Sequence, residues 1–184
     1  MKLKIVSILI CLNCYSLFAE EKLHTIGVST GFGSSQDTFK DSAGQELLVD
    51  DVSGTTEFTY NYKFSENWVV DINYLTANST RASFIFDLFL DNKFSMNEVS
   101  LGVKGILPLS EHNDFFVRLD ASSYNYKIKN DTTRLIDKNG VGAVAGLGWQ
   151  YHFDNGLQFN VAYNYHNLGN VNFVFGSLGV AYRF

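Results

Sequence analysis

Apolar residues occupy every second position through the last forty-odd residues, and that period constrains the fold more than anything else in the chain. The set runs Val141, Ala143, Ala145, Leu147, Trp149, Tyr151, Phe153, then Leu157, Phe159, Val161, Tyr163, Tyr165, then Val174, Leu178, Val180, Tyr182, Phe184. Gly, Gln, Asn, His, Ser and Arg sit between them. Side chains alternate between two faces of a strand but recur every 3.6 residues in a helix, so a period of two specifies strands with one apolar and one polar face. Asp154-Asn155-Gly156 separates two of these strands and suits a hairpin turn that needs positive φ.

Reading back toward the N-terminus gives five more strands: His24 to Gly33, Gly54 to Phe64, Trp68 to about Thr76, Asn97 to Leu107 and Phe115 to about Tyr126. The count is eight, and most are about 9–13 residues long, matching the 9–11 that cross a bilayer at a tilt. The connections after the second, fourth and sixth strands are short. Those over 34–53, 77–94 and 127–140 are long, and the last of this set is the short Leu168-Gly169-Asn170. Short turns at one end and long loops at the other are the arrangement of outer-membrane barrels.

One face of each strand is free of charge. Tyr62, Phe64, Trp68, Phe115, Tyr151, Phe153, Tyr182 and Phe184 lie toward the short-turn end of that face, and Phe32, Tyr74, Tyr163 and Tyr165 toward the other. Two aromatic girdles around an aliphatic band are expected where strands meet the two bilayer interfaces. Hydrocarbon cannot satisfy an open sheet edge, so such a sheet must close on itself. The predicted fold is all-β, an eight-stranded antiparallel up-and-down transmembrane β-barrel.

The opposite face then points into a lumen that side chains fill at this strand number. It holds Glu57, Lys63, Asp71, Glu98, Lys104, Arg118, Asp120 and Arg183, four acids and four bases. Unpaired buried charge is costly, so these eight are read as a structural polar network, with Gly27, Gly31, Gly142, Gly146 and Gly148 leaving room for it. An ion path through them is the competing reading.

Lys2 and Lys4, an apolar run from Ile5 to Leu12, and Ser16-Leu17-Phe18-Ala19 before Glu20-Glu21 have the pattern of a secretory signal peptide. Residues 1–19 are therefore expected to be removed, leaving 20–184 as the barrel. Both cysteines, Cys11 and Cys14, fall in the leader, and Cys14 follows Asn13 where a lipid-modified cysteine would follow a small residue. Loss of Lys2 and Lys4 leaves 12 of the 14 basic residues against all 19 acidic ones. That acidity argues against a nucleic-acid partner.

Gly179-Val180-Ala181-Tyr182-Arg183-Phe184, with Tyr163 and Tyr165 on the preceding strand, resembles the closing strands of the OmpA-like and OmpX-like porin-family barrels. The resemblance covers the whole expected mature chain. It implies residence in the outer membrane of a Gram-negative bacterium, contact with lipid and lipopolysaccharide, both termini in the periplasm, and passage with periplasmic chaperones to the barrel-assembly machinery. Tyr182 and Phe184 would carry the signal that the machinery reads. The chain is expected to end with the barrel, without a counterpart of the peptidoglycan-binding domain of full-length OmpA.

Chemistry is hard to place on this pattern. Some eight-stranded barrels modify lipid A, and the deacylases among them carry His-x-Ser-Asn; the nearest run here, His166-Asn167-Leu168-Gly169-Asn170, has no Ser, and His166 points inward by parity. No His, Cys, Asp or Glu spacing suggests a metal site and no glycine loop suggests a cofactor, so none is expected. The leading expectation is a non-enzymatic barrel that displays loops for adhesion, surface interaction or envelope integrity. Six of the nine residues in Ser83–Asp91 are large and apolar. They are read as a projecting hairpin, as a helical turn over the barrel mouth, or as a contact patch for a partner or for the outer lipid headgroups, with Phe84, Phe86, Leu88 and Phe89 as the contact residues. A small pore, a lipid A enzyme and a soluble ligand-binding barrel are the alternatives. The last requires the aromatic face to be buried.

Overall fold

The structure, a computed structural model, describes residues 22–35, 39–40, 46–47, 53–79, 93–129, 134–169 and 171–184. Eight long strands close into a barrel: β1 (His24–Ser35), β4 (Ser53–Ser65), β5 (Trp68–Ser79), β6 (Lys93–Pro108), β7 (Asn113–Lys129), β8 (Arg134–His152), β9 (Leu157–Asn167) and β10 (Asn172–Arg183). Their order around the barrel is β1-β10-β9-β8-β7-β6-β5-β4, with every pair antiparallel. Two short strands between β1 and β4, β2 (Phe39–Lys40) and β3 (Glu46–Leu47), pair as a separate ribbon. No helix occurs among the described residues.

Closure runs through the chain ends. β1 and β10 pair from Thr25↔Arg183 to Ser35↔Phe173. His24 N donates to the Phe184 carbonyl at 3.1 Å, and Phe184 N donates to the His24 carbonyl at 2.8 Å. The sheet therefore has no free edge of the kind that hydrocarbon would penalise. At the β8–β9 turn Gly156 takes a φ of 95°, and its carbonyl accepts the Arg183 amide at 2.8 Å, tying the turn to the last strand.

Several strands outrun the sequence reading. β5 continues to Ser79, β6 begins at Lys93, β7 reaches Lys129 and β8 begins at Arg134. The expected polar loop over 127–140 is mostly paired strand, in register from Tyr124↔Gly140 to Ile128↔Ile136. The reason is a reversal of polarity along the strand. On β7 the outward residues run Val117, Leu119, Ala121 and then Ser123, Asn125, Lys127, Lys129, while the inward ones run Arg118, Asp120, Ser122 and then Tyr124, Tyr126, Ile128. The same change occurs on β6, where outward Val103, Leu101 and Val99 give way to Asn97 and Ser95 as inward Ser100 and Glu98 give way to Met96 and Phe94.

Period two persists through this change, and only the identity of the apolar face switches. Below it the barrel is apolar outside and polar inside, as lipid demands; above it the order is that of a water-soluble sheet. Tyrosines mark the level. The Tyr74 hydroxyl donates to Asn97 Oδ1 at 3.2 Å, and the Tyr165 hydroxyl donates to Asn172 Oδ1 at 2.6 Å. Each ring thus has its body against the apolar band and its hydroxyl on the first polar row.

Candidate functional site

The lumen holds the concentrated chemistry of the described residues, and β7 carries its centre. Arg118 enters opposite Gly146 of β8, where an added Cβ would collide with the Arg118 side chain and with Asn164 Oδ1. Gly148 makes the same allowance for the ring of Phe116. Arg118 is 5% exposed and donates through both terminal nitrogens to the Glu57 carboxylate on β4, the Nη2–Oε2 separation being 3.4 Å. Its Nη1 lies 3.6 Å from Asp71 Oδ2, and its Nε lies 3.9 Å from Asp120 Oδ2.

A second cation completes the group. Lys104 Nζ lies 3.6 Å from Asp71 Oδ1, donates to Asn61 Oδ1 at 2.8 Å and sits 5.1 Å from the centre of the Phe116 ring. Asp71 also accepts from Asn61 Nδ2 and from Asn73 Nδ2, the latter at 2.9 Å. Ser100 Oγ donates to Asp120 Oδ2 at 3.3 Å. Three carboxylates, two cations and their amide and hydroxyl partners thus bridge β4 to β7 across the barrel. This is the condition under which buried charge is tolerable.

The remaining inward charges stand apart from that group. Glu98 meets His166 of β9, with Oε2 and Nδ1 at 2.5 Å, and His166 packs against the Phe175 ring at 5.1 Å. The alternation puts both residues on the inward face, but it carries no signal that they meet. Lys63 and Arg183 line the lower mouth, a cavity of about 320 Å³ that also exposes Glu66, Glu111, Asp114 and His152. There Asp114 accepts from Gln150 Nε2 at 2.9 Å and lies 3.3 Å from His152 Nδ1. The predicted eight therefore fall into three places: Glu57, Asp71, Lys104, Arg118 and Asp120 together, Glu98 above them with a histidine, and Lys63 with Arg183 below.

Above Glu98 the polar lumen ends in an apolar cap. Leu75, Ala77, Phe94, Met96, Tyr124, Tyr126, Ile128, Leu168, Val171, Phe173 and Phe175 form one buried cluster. Its rings interlock across the barrel: Phe94 lies 5.9 Å from Phe173 and 6.1 Å from Tyr126, and Phe173 lies 5.9 Å from Phe175. Ser53 and Thr55 are as deeply buried on the β4 side. Between cap and mouth, an open space of about 50 Å³ beside Arg118 and Asn164 has room for a few waters, and Thr25, Asn61, Lys104, Gln150 and Gln158 line both it and the mouth. The interior of the described barrel is thus narrowed by salt-bridged side chains at mid-height and filled by aromatic rings at the top. The cap was the feature missed in the sequence; Phe173 and Phe175 on the inward parity of the last strand were its available signal.

Tyr182 and Phe184 lie exposed on the outer wall at the lower rim, ring centres 6.4 Å apart, with Phe184 stacked on His24 at 5.9 Å. Phe84, Phe86, Leu88 and Phe89 lie outside the described residues. No helix among the described residues is long and apolar enough to cross a membrane, which says nothing about crossing by strands.

Comparison with known proteins agrees with this architecture. A family model described as "Outer membrane protein beta-barrel domain" matches residues 5–184. No curated protein matches the chain significantly. Among solved structures, Neisserial surface protein A superposes with a TM-score of 0.67 at 11% identity, covering 88% of this chain and 97% of that one. The attachment invasion locus protein Ail of Yersinia pestis gives 0.57 at 19% identity over 88% of this chain and 99% of its own. The N-terminal β-barrel domain of Pseudomonas aeruginosa OprF gives 0.57 at 10% identity over 87% and 97%. At these identities the likeness carries the fold alone.

Proposed function

The chain belongs to the outer membrane protein beta-barrel domain family, and from that premise we propose that it is a non-enzymatic, non-conducting barrel that presents its long-strand end outside the cell for adhesion, surface interaction or envelope integrity. The observation that carries this reading is the apolar cap over the lumen. A conducting barrel needs a continuous wet path, whereas here Arg118, Glu57 and Asp71 narrow the middle and Phe94, Phe173 and Phe175 close the top. The strands that rise above the apolar band turn a polar surface outward, as a platform for contact in water requires. In this reading the short turns and both termini face the periplasm, and residues 1–19 are a signal peptide that export removes. The outer wall meets lipid and lipopolysaccharide, and Tyr182 and Phe184 guide assembly by the barrel-assembly machinery after passage with periplasmic chaperones. His166 is held by Glu98 inside the lumen, away from any substrate on the outer wall, which supports a role without catalysis.

The name of the Yersinia pestis neighbour refers to attachment and invasion, and a second structure of it contains the heparin analogue sucrose octasulfate. Those properties support a contact function here only through the shared fold. Cells displaying the chain should adhere to host-cell or matrix-coated surfaces. Deleting 83–91 should abolish adherence while the folded and boiled proteins still migrate differently in SDS. Adherence unchanged by the deletion would remove that stretch from the proposal. A small pore is the second reading, favoured by the 320 Å³ lower mouth. Reproducible discrete openings of the wild-type barrel in a planar bilayer would establish it in place of the first.

A further inference from the structure

The outer wall is uneven at the seam where β1 meets β4 and β10. The positions that turn inward there, Gly27 and Ala181, have little bulk. The outward Ile26, Val28, Phe58, Val180 and Tyr182 stand around a shallow, open apolar groove of about 500 Å³. It lies in the apolar band, nearer the short-turn end, so whatever fills it arrives from the surrounding hydrocarbon.

A cation stands below this groove. Lys22 is exposed, and its ammonium, the Tyr182 ring and the Arg183 carbonyl converge on Gly156 at the β8–β9 turn. Beside them the Tyr60 hydroxyl and His24 Nδ1 are 2.8 Å apart, and His24 packs on Tyr62 and Phe184. The turns at this end carry Glu66, Glu111 and Asp154. Lys63 and Arg183 line the mouth of the lumen at this end, whereas Lys22 offers an anion a point of attraction on the outer face, under the apolar groove.

We propose that this groove binds one anionic glycerophospholipid of the leaflet at the short-turn end, with an acyl chain along Val28, Phe58 and Val180 and the phosphodiester on Lys22. The match is of two kinds at once. The slot offers an acyl chain apolar contact that a smooth wall lacks, and the ammonium at the interface offers the headgroup a charge-assisted contact that uncharged aromatic neighbours cannot. An acyl chain and an anionic headgroup joined over this height are the two ends of a membrane phospholipid.

The test is native mass spectrometry of the barrel released in mild detergent from vesicles holding equal parts of phosphatidylglycerol and phosphatidylcholine. The wild type should retain one phosphatidylglycerol in preference to phosphatidylcholine. Lys22→Glu should lower that preference by about fivefold or more, the ratio that one lysine near a charged membrane surface carries, while Lys22→Arg preserves it. Val28→Trp, which fills the slot, should reduce retention of both lipids. If that variant fails to give the folded form in SDS, Lys22→Glu, with the groove intact, carries the test. Equal retention of the two lipids by the wild type, a preference unmoved by Lys22→Glu, or a lipid-free dimer as the released species would each overturn the proposal.

Discussion

Replacing Arg118 by Met should be the most damaging single change in the lumen. The substitution keeps an unbranched stem of four side-chain atoms and removes the charge. Glu57 then loses the guanidinium that holds it, Asp120 loses its nearest cation, and Asp71 keeps only Lys104 at 3.6 Å. Breaking a buried ion pair by removing one partner costs about 3–5 kcal/mol, because the remaining charge is left in the interior. That is roughly two to three and a half orders of magnitude in the folding equilibrium. Glu57→Gln in the same chain removes the stranded charge, so the double variant should recover a large part of the loss, to within about 1–2 kcal/mol of wild type. Urea unfolding from phospholipid vesicles gives the numbers. Trp68 and Trp149 are both on the outer wall, 51% and 39% exposed, and report by fluorescence as they leave the bilayer. A cost below about 1 kcal/mol for Arg118→Met, or a double variant as unstable as the sum of the singles, would refute the view that Arg118 is the counter-charge of this lumen.

Three further outcomes follow from the same geometry. Leu119→Arg, on the outer face and 60% exposed, should cost about 2–4 kcal/mol in vesicles, as a cation does at the bilayer midplane, and a neutral result would mean that this wall meets water. Phe173→Ala, at a fully buried position of the cap, should cost about 3–5 kcal/mol by the same measurement, and a cost under about 1 would mean that the rings do not pack as described. Gly146→Val should cost roughly 1–3 kcal/mol by forcing Arg118 and Asn164 aside, whereas Gly176→Ala, where a Cβ meets nothing within 4 Å, should change stability by less than about 0.5, and equal effects at the two sites would contradict the packing argument.

Much of the barrel was legible because alternation is a local property. Parity assigns the inward residues of β9 and those of β1 and β4 apart from Ser35 and Ser53, which fall in the expected loop 34–53, and the bounds of β9 match the sequence pattern. The upper ends of β5 to β8 were not, for a physical reason. A rule that equates the apolar face with the lipid face holds only in lipid, so Ile128 between outward Lys127 and Lys129 reads as part of a polar loop. Pairing inside the lumen was legible as composition but not as contact. Glu57 and Arg118 are 61 residues apart on strands that are not neighbours, and Glu98 and His166 are 68 apart. Which of them meet depends on how far adjacent strands are staggered around the closed sheet, and one strand's sequence does not carry that information.

The polarity reversal on β6 and β7 also fixes the barrel's height. If the molecule sank by one residue pair, Asn97 and Asn125 would enter hydrocarbon and the hydroxyls of Tyr74 and Tyr165 would follow them. A rise of the same distance would bring Val99 and Leu101 into water. Sliding β7 by one residue would be worse, because it would turn Arg118 outward into lipid and Tyr126 outward into water together. Two opposite solvents, each reading one half of the same strand, thus hold both the register of the sheet and its depth in the membrane.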